Sequence, residues 1–260
     1  MRRKGSEIIT RLVTIAILSA LGFVLMAFAR IPYPIAPWLK IEFSEVTVLI
    51  GYALYGFPGG IAVAIIKTAL DLAVHGLTDP LGIGHITALL TSLLFVLGLF
   101  LCSHVFKFFK KGLGFRVIAY LIITVLVSTM MTGLNAIVIT PSYLSAYSDG
   151  RYTTCFNEGV IEEVISFFHK NNAGVNVSSY IGLMSLVYMP FNLIKAASCC
   201  IIYELIFNRL IFVFMQRSPK MKKYFVGNIF KSEEKEIVKE DSESDEEDEK
   251  DEDEEVDIEE

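Results

Sequence analysis

Apolar residues run through this chain in long blocks, and the blocks have the length of membrane spans. A helix needs roughly 20 largely apolar residues to cross about 30 Å of hydrocarbon. Such runs lie at about 9–29, 44–56, 58–75, 84–106, 115–140 and 179–214, and the second of them is short. The sequence "GFPGG" at 56–60 divides the second from the third, because Gly and Pro punctuate helices. The pattern predicts six transmembrane helices. Between the fifth and sixth lies a long polar segment, 141–179, in which Val160, Ile161, Val164, Ile165 and Phe168 recur at helical spacing. That spacing predicts a short amphipathic helix at about 158–169.

Charge sets the orientation. Arg2, Arg3, Lys4 and Arg11 precede the first run; Lys107, Lys110, Lys111 and Arg116 sit between the fourth and fifth; Arg209, Arg217, Lys220, Lys222 and Lys223 accompany the end of the sixth. With six spans all three clusters fall on one side, and basic flanks mark the cytoplasmic side. Both termini are therefore expected in the cytoplasm. The basic start of the chain is like that of a signal peptide, but its apolar run exceeds an h-region and no convincing cleavage site follows. It is read as a first span that stays.

Composition sharpens the picture. The chain of 260 residues is 53% hydrophobic, with a mean hydropathy of +0.52, more apolar than a soluble domain of this size needs. Residues 231–260 hold 19 acidic and 4 Lys residues, a net of −15, against +9 for the rest. The expected division is a transmembrane domain over 1–230 and a disordered acidic cytoplasmic tail over 231–260, since the tail has too little apolar sequence to build a core. Cys102, Cys155, Cys199 and Cys200 show no C-x-x-C spacing, so no metal or redox site is expected.

Several chemistries have no motif here. The sequence contains no G-x-x-x-x-G-K-[ST], no H-E-x-x-H and no G-x-S-x-G. The chain is expected to be no enzyme, to bind no ATP through a P-loop, and to have no nucleic-acid partner. What stands out is polar groups inside apolar runs: Lys67, Asp71, Asn135, Asn192, Lys195 and Glu204. A charge in a membrane helix costs at least about 2.5–3.5 kcal/mol, so each needs a partner or a task. Lys67 and Asp71, at i,i+4, can pair with each other. Asn192 and Lys195, at i,i+3, share a face; they either bond across helices, to Asn135 or Glu204, or meet a buried ligand.

Three separated stretches carry a family resemblance. "WLKIEFSEVTVLIGYALYGFPGGIAVAIIKTALDLAVHG" (38–76) joins an acidic-Phe-Ser-acidic motif to a Gly-Phe-Pro turn and an Ile-Lys pair; "TGLNAIVITPSY" (132–143) and "PFNLIKA" (190–196) follow in order. Together they resemble the riboflavin-specific S components, the RibU type, of energy-coupling-factor (ECF) vitamin transporters. Thr68 and "GIGH" (82–85) depart from that pattern, as do the long outer loop and the acidic tail. The resemblance implies an all-α membrane protein of the multi-pass S-component fold in the cell membrane. It implies capture of riboflavin from outside, with a transmembrane coupling subunit and two cytoplasmic ATPase subunits as partners. It implies no cofactor: riboflavin is the cargo, and the partners bind ATP.

By the same resemblance the ligand contacts are Asn135, Asn192 and Lys195, with Trp38, Leu39 and Lys40 from the loop 31–45 and Gly84 before the fourth helix. Trp38 suits a membrane-interface anchor as well as a cover for the ring. The family's Ala-x-x-x-Ala docking motif reads here as Ala16 to Ala20, small residues that let helices approach closely. Two other readings compete: an S component for another vitamin or small molecule, and a stand-alone ion-coupled carrier with Asp71, Glu204 or Lys67 as relay.

Overall fold

The structure is a computed structural model that describes residues 2–77, 82–110, 113–147, 158–171 and 179–217. The tail 231–260, Cys155 and the basic residues from Lys220 onward lie outside the described residues.

The first apolar run becomes α1 (Arg2–Phe28). A β-hairpin follows, β1 (Ile31–Tyr33) against β2 (Ala36–Ile41), antiparallel, with Ile31 opposite Ile41 and Pro32 opposite Lys40. The fold is thus mostly helical and not all-α. Pro32 and Pro37 are compatible with strand here because a two-stranded ribbon consists of edges, where a missing N–H breaks no interior ladder.

Next comes α2 (Glu45–His75), recorded as one helical run but broken at Gly56, whose φ of 70° and ψ of −162° are not helical. The backbone there lies in the region that favours glycine, and Pro58 sits in the first turn beyond it. The run folds back on itself at this point. A Cβ added to Gly51 would lie 2.8 Å from Val63 Cγ2, although twelve residues of straight helix would place these positions about 18 Å apart. Gly51, Gly59 and Gly60 let the two arms touch, for a Cβ at Gly59 would meet the Gly51 carbonyl oxygen at 2.5 Å.

The chain continues as α3 (Ile83–Phe100), ending in a π-helical turn at Leu101–Val105, and as α4 (Leu113–Leu134), which passes through a second π turn at Asn135–Ile139 into α5 (Thr140–Tyr147). An outer helix, α6 (Glu158–Asn171), covers the range in which the sequence predicts one. The last described helix is α7 (Tyr180–Arg217). Among the described residues five helical stretches are long and apolar enough to cross a membrane: Ile8–Phe28, Glu45–His75, Ile83–Val105, Gly114–Tyr143 and Tyr180–Ile206. The second of them is one continuous run that doubles back at Gly56, where the sequence predicts two separate spans.

Two apolar clusters organise the packing. The bundle core gathers Leu49, Tyr52, Val63, Phe95, Leu99, Ile123, Met131, Ala196, Cys199 and Tyr203 from α2, α3, α4 and α7. A smaller outer cap gathers Tyr33 and Ala36 of the hairpin, Val164 and Phe168 of α6, and Leu183, Met184, Val187, Tyr188 and Phe191 of α7. The apolar face of α6 is therefore buried, as its spacing predicts. Leu39, Ile41 and Ala136 pack against the same cap.

Candidate ligand site between the bundle and its outer cap

Polar side chains collect at the seam of the two clusters. On α7, Phe191 belongs to the cap and Ala196 to the core, and Asn192 and Lys195 lie between them. On the α4 side, Met131 belongs to the core and Ala136 packs on the cap, with Thr132 and Asn135 between. On the third side Ile41 faces the cap, Val46 lies in the core, and Glu42, Ser44 and Glu45 bridge them. Seams of this kind place a few polar groups among apolar walls, the usual make-up of a small-molecule site.

The geometry of each group is specific. Lys195 Nζ donates to Glu42 Oε1 at 2.8 Å. Glu42 is fixed twice more: the Ser44 N–H donates to its Oε2 at 3.0 Å, and the Cys199 thiol reaches its carbonyl oxygen at 3.8 Å. Burial alone would raise the Glu42 carboxyl, but the ammonium of Lys195, with that of Lys67, holds it well below its ordinary value. Asn192 Nδ2 lies 3.4 Å from Thr132 Oγ1, a long bond between α7 and α4. Asn135 opens the π turn, and its Nδ2 donates to the Met131 carbonyl at 2.7 Å. Such π turns occur often at functional positions, because they swing a side chain off the regular helical face.

A second buried pair lies behind this set. Lys67 Nζ donates to Glu45 Oε1 at 3.0 Å and to Ser44 Oγ at 2.6 Å, and Ser92 Oγ donates to the same Glu45 oxygen at 3.1 Å. Both Lys67 and Glu45 are 0% exposed. The expected Lys67–Asp71 pair is not formed, because the fold-back at Gly56 brings Glu45 to Lys67. Asp71 instead accepts from Arg30 Nη2 at 3.4 Å and lies 2.9 Å from His75 Nδ1, and His85 Nε2 lies 3.1 Å from its other oxygen, which brings the ends of α1, α2 and α3 together. Lys195 likewise has Glu42, and neither Asn135 nor Glu204, for its partner. Glu204 lies near the other end of the bundle, 3.3 Å from Arg116 Nη2 and bonded to the Tyr120 hydroxyl. The partner missing from the sequence reading is thus Glu42. Two acids three residues apart, leading into an apolar helix, are its signal, since two buried Lys residues require two carboxylates.

The other residues expected at the site are dispersed. Leu39 is half-buried against the cap, Lys40 is exposed on β2, and the Trp38 side chain lies outside the described residues. Gly84 is exposed in the first turn of α3, beside His85 and hence beside the Asp71 cluster. Ala16 and Ala20 are exposed on α1, on the face opposite Ile15, Leu18, Ser19 and Gly22. That buried face presses on α2: a Cβ at Gly22 would meet Thr47 Oγ1 at 2.5 Å. Cys102, Cys199 and Cys200 are buried free thiols, and among the described residues no group of His, Cys, Asp and Glu could hold a metal ion.

Comparison with known proteins gives a consistent result. Residues 10–207 match the family model described as ECF transporter, substrate-specific component. The chain is 28% identical over 208 residues to the riboflavin transporter FmnP of Bacillus subtilis (strain 168), spanning 78% of this chain and 92% of that protein. It is 30% identical over 201 residues to the riboflavin transporter RibU of Staphylococcus aureus (strain TCH60), spanning 77% and 89%. A solved structure described as the S component of a bacterial ECF transporter superposes with a TM-score of 0.55 at 25% identity, covering 79% of this chain and 97% of that one.

Proposed function

The chain belongs to the family of ECF transporter substrate-specific components, and from that premise we propose that it captures riboflavin outside the cell for ATP-driven uptake. It is a multi-pass membrane protein of the plasma membrane. The observation that carries the riboflavin reading is the match to riboflavin transporters along 92% and 89% of their lengths. The seam chemistry supports it. Asn135, Asn192 and Lys195 stand on facing helices among apolar residues, and a planar ring rich in carbonyl and nitrogen acceptors, with one N–H, suits two carboxamides and an ammonium. Each neutral hydrogen bond contributes about 0.5–1.5 kcal/mol, and one from the charged amine about 1.5–3. Leu39 would add apolar cover, with Trp38 and Lys40 on the same strand. Gly84, beside His85 at the start of α3, is a further proposed contact.

The traverse count in this reading is six, because the short arm 45–55 of α2 runs down and the arm from 57 runs back. Contacts support cytoplasmic termini: the Arg11 guanidinium lies 5.3 Å over the Tyr55 ring beside the fold-back, and the Tyr52 hydroxyl bonds Ser103 and His104 near Lys107. Arg11 and Lys107 thus share one end, as the positive-inside rule requires. Energy must come from partners, since the chain has no P-loop. The proposed partners are the ECF transmembrane coupling subunit and two ATPase subunits, with the exposed Ala16–Ala20 face of α1 as the docking stripe. The protein itself carries out no catalysis in this account. The ion-coupled alternative gains no support, as Asp71, Lys67 and Glu204 are each engaged in an ion pair.

The absorption spectrum of protein purified by gentle detergent extraction, followed by a riboflavin titration, tests the reading. A bound yellow chromophore with flavin bands, or saturable quenching of flavin fluorescence, is expected. The absence of both signals would overturn it.

A further inference from the structure

The Lys195–Glu42 pair does more than neutralise a buried amine. Its two atoms form a donor and an acceptor 2.8 Å apart, at the same seam as Asn135 and Asn192. Of the ammonium's three protons one is directed to Glu42, which leaves donors for a ligand. Glu42 Oε1 has a further lone pair, and Oε2 is held by the Ser44 N–H, so the carboxylate cannot swing freely. The main chain of Glu42 is tied to α7 as well, through the Cys199 thiol. The pair is formally neutral and rigidly placed.

We propose that Glu42 is a specificity-determining residue, and that the Glu42–Lys195 pair reads the imide edge of the flavin ring. This rests on the riboflavin reading above. A carbonyl and the adjacent N–H of a neutral imide can form two parallel bonds with such a pair: the carbonyl accepts from Lys195 Nζ, and the ring N3–H donates to Glu42. A carboxylate accepts more strongly than a carboxamide, so the N3–H bond carries much of the discrimination. A ring whose N3 bears a methyl group leaves the buried carboxylate facing a carbon, and sites built around a buried polar group reject such analogues strongly. An anionic ring edge is disfavoured too, because it would bring a second negative charge to Glu42.

The test compares riboflavin with N3-methylriboflavin on purified full-length protein by flavin fluorescence quenching, for wild type, Glu42→Gln and Glu42→Ala. Wild type is expected to prefer riboflavin by at least about tenfold. Glu42→Gln, which keeps the side-chain shape and serves if the Ala variant does not fold, should reduce that ratio by about fivefold. Glu42→Ala should bring the ratio close to one. A purely structural Glu42 would weaken both ligands equally and leave the ratio unchanged. Equal affinities in wild type, or an undiminished ratio in Glu42→Gln, would overturn the inference while leaving riboflavin capture intact. Absence of riboflavin binding by wild type would overturn the riboflavin reading and this inference with it.

Discussion

Lys67 and Glu45 are 22 residues apart in one helical run, yet Lys67 Nζ lies 3.0 Å from Glu45 Oε1. A straight helix would separate them by about 33 Å. The ion pair therefore exists only because α2 doubles back at Gly56, and it closes the hairpin at the end away from the turn. Removing one partner strands the other in a fully buried place. Lys67→Met or Glu45→Gln should each cost about 3–5 kcal/mol, read as a lowered Tm in detergent. Lys67→Met combined with Glu45→Leu should recover most of that loss, because an apolar pair needs no counter-charge.

The glycines of the same hairpin give a second prediction. Gly59→Ala would drive a methyl against the Gly51 carbonyl and Tyr55 Cβ, both at 2.5 Å, and should destabilise by about 1–3 kcal/mol. Gly114 has open space at its Cβ position. Gly114→Ala should be neutral or stabilising by up to about 1 kcal/mol. Chemical denaturation of the two variants side by side checks the contrast.

These contacts mark what was legible in the sequence. The apolar runs disclosed the spans, since lipid allows few other uses for them. "GFPGG" disclosed the break in α2, and the spacing of Val164 and Phe168 disclosed α6. The cost of polar groups in lipid singled out Asn135, Asn192 and Lys195, which the structure brings to one seam. Pairing was not legible. Lys67 has Asp71 one turn away in sequence, but tertiary folding supplies a better-buried partner in Glu45. The β-hairpin was hidden because a Pro-rich stretch with two strands of 3 and 6 residues has no alternating pattern long enough to notice. The role of Glu42 is hidden in the sequence because it lies just outside an apolar run, where a carboxylate incurs no evident cost.

The pH response follows from the Glu42 carboxyl. Its value in the folded protein is lowered from 4.5, so the pair contributes stability above the unfolded value and loses it as pH falls through the folded one. Both values lie below the physiological range. The contribution of this pair to riboflavin affinity should therefore stay flat from about pH 8 to pH 5 and decline only in stronger acid. A fluorescence titration repeated across that range checks this. A midpoint near neutrality would show that the carboxylate is not held by the amine.

The exposed stripe of α1 predicts a separation of binding from transport. Ala16→Trp and Ala20→Trp enlarge two exposed positions away from the buried face of α1, so the fold and the seam should be unaffected. Riboflavin affinity of the purified double variant should match wild type, while uptake by cells that also supply the partner subunits should be lost. Normal uptake would place docking elsewhere on the protein.

The central claim, that the seam holding Asn135, Asn192 and Lys195 accepts riboflavin, is tested most directly by titrating purified wild type and Asn192→Ala with riboflavin and following flavin fluorescence. Asn192 is the suitable probe because its removal strands no charge. The account predicts saturable quenching by wild type and an affinity lower by roughly tenfold in Asn192→Ala, with unchanged membrane insertion. Identical affinities for the two proteins would contradict it.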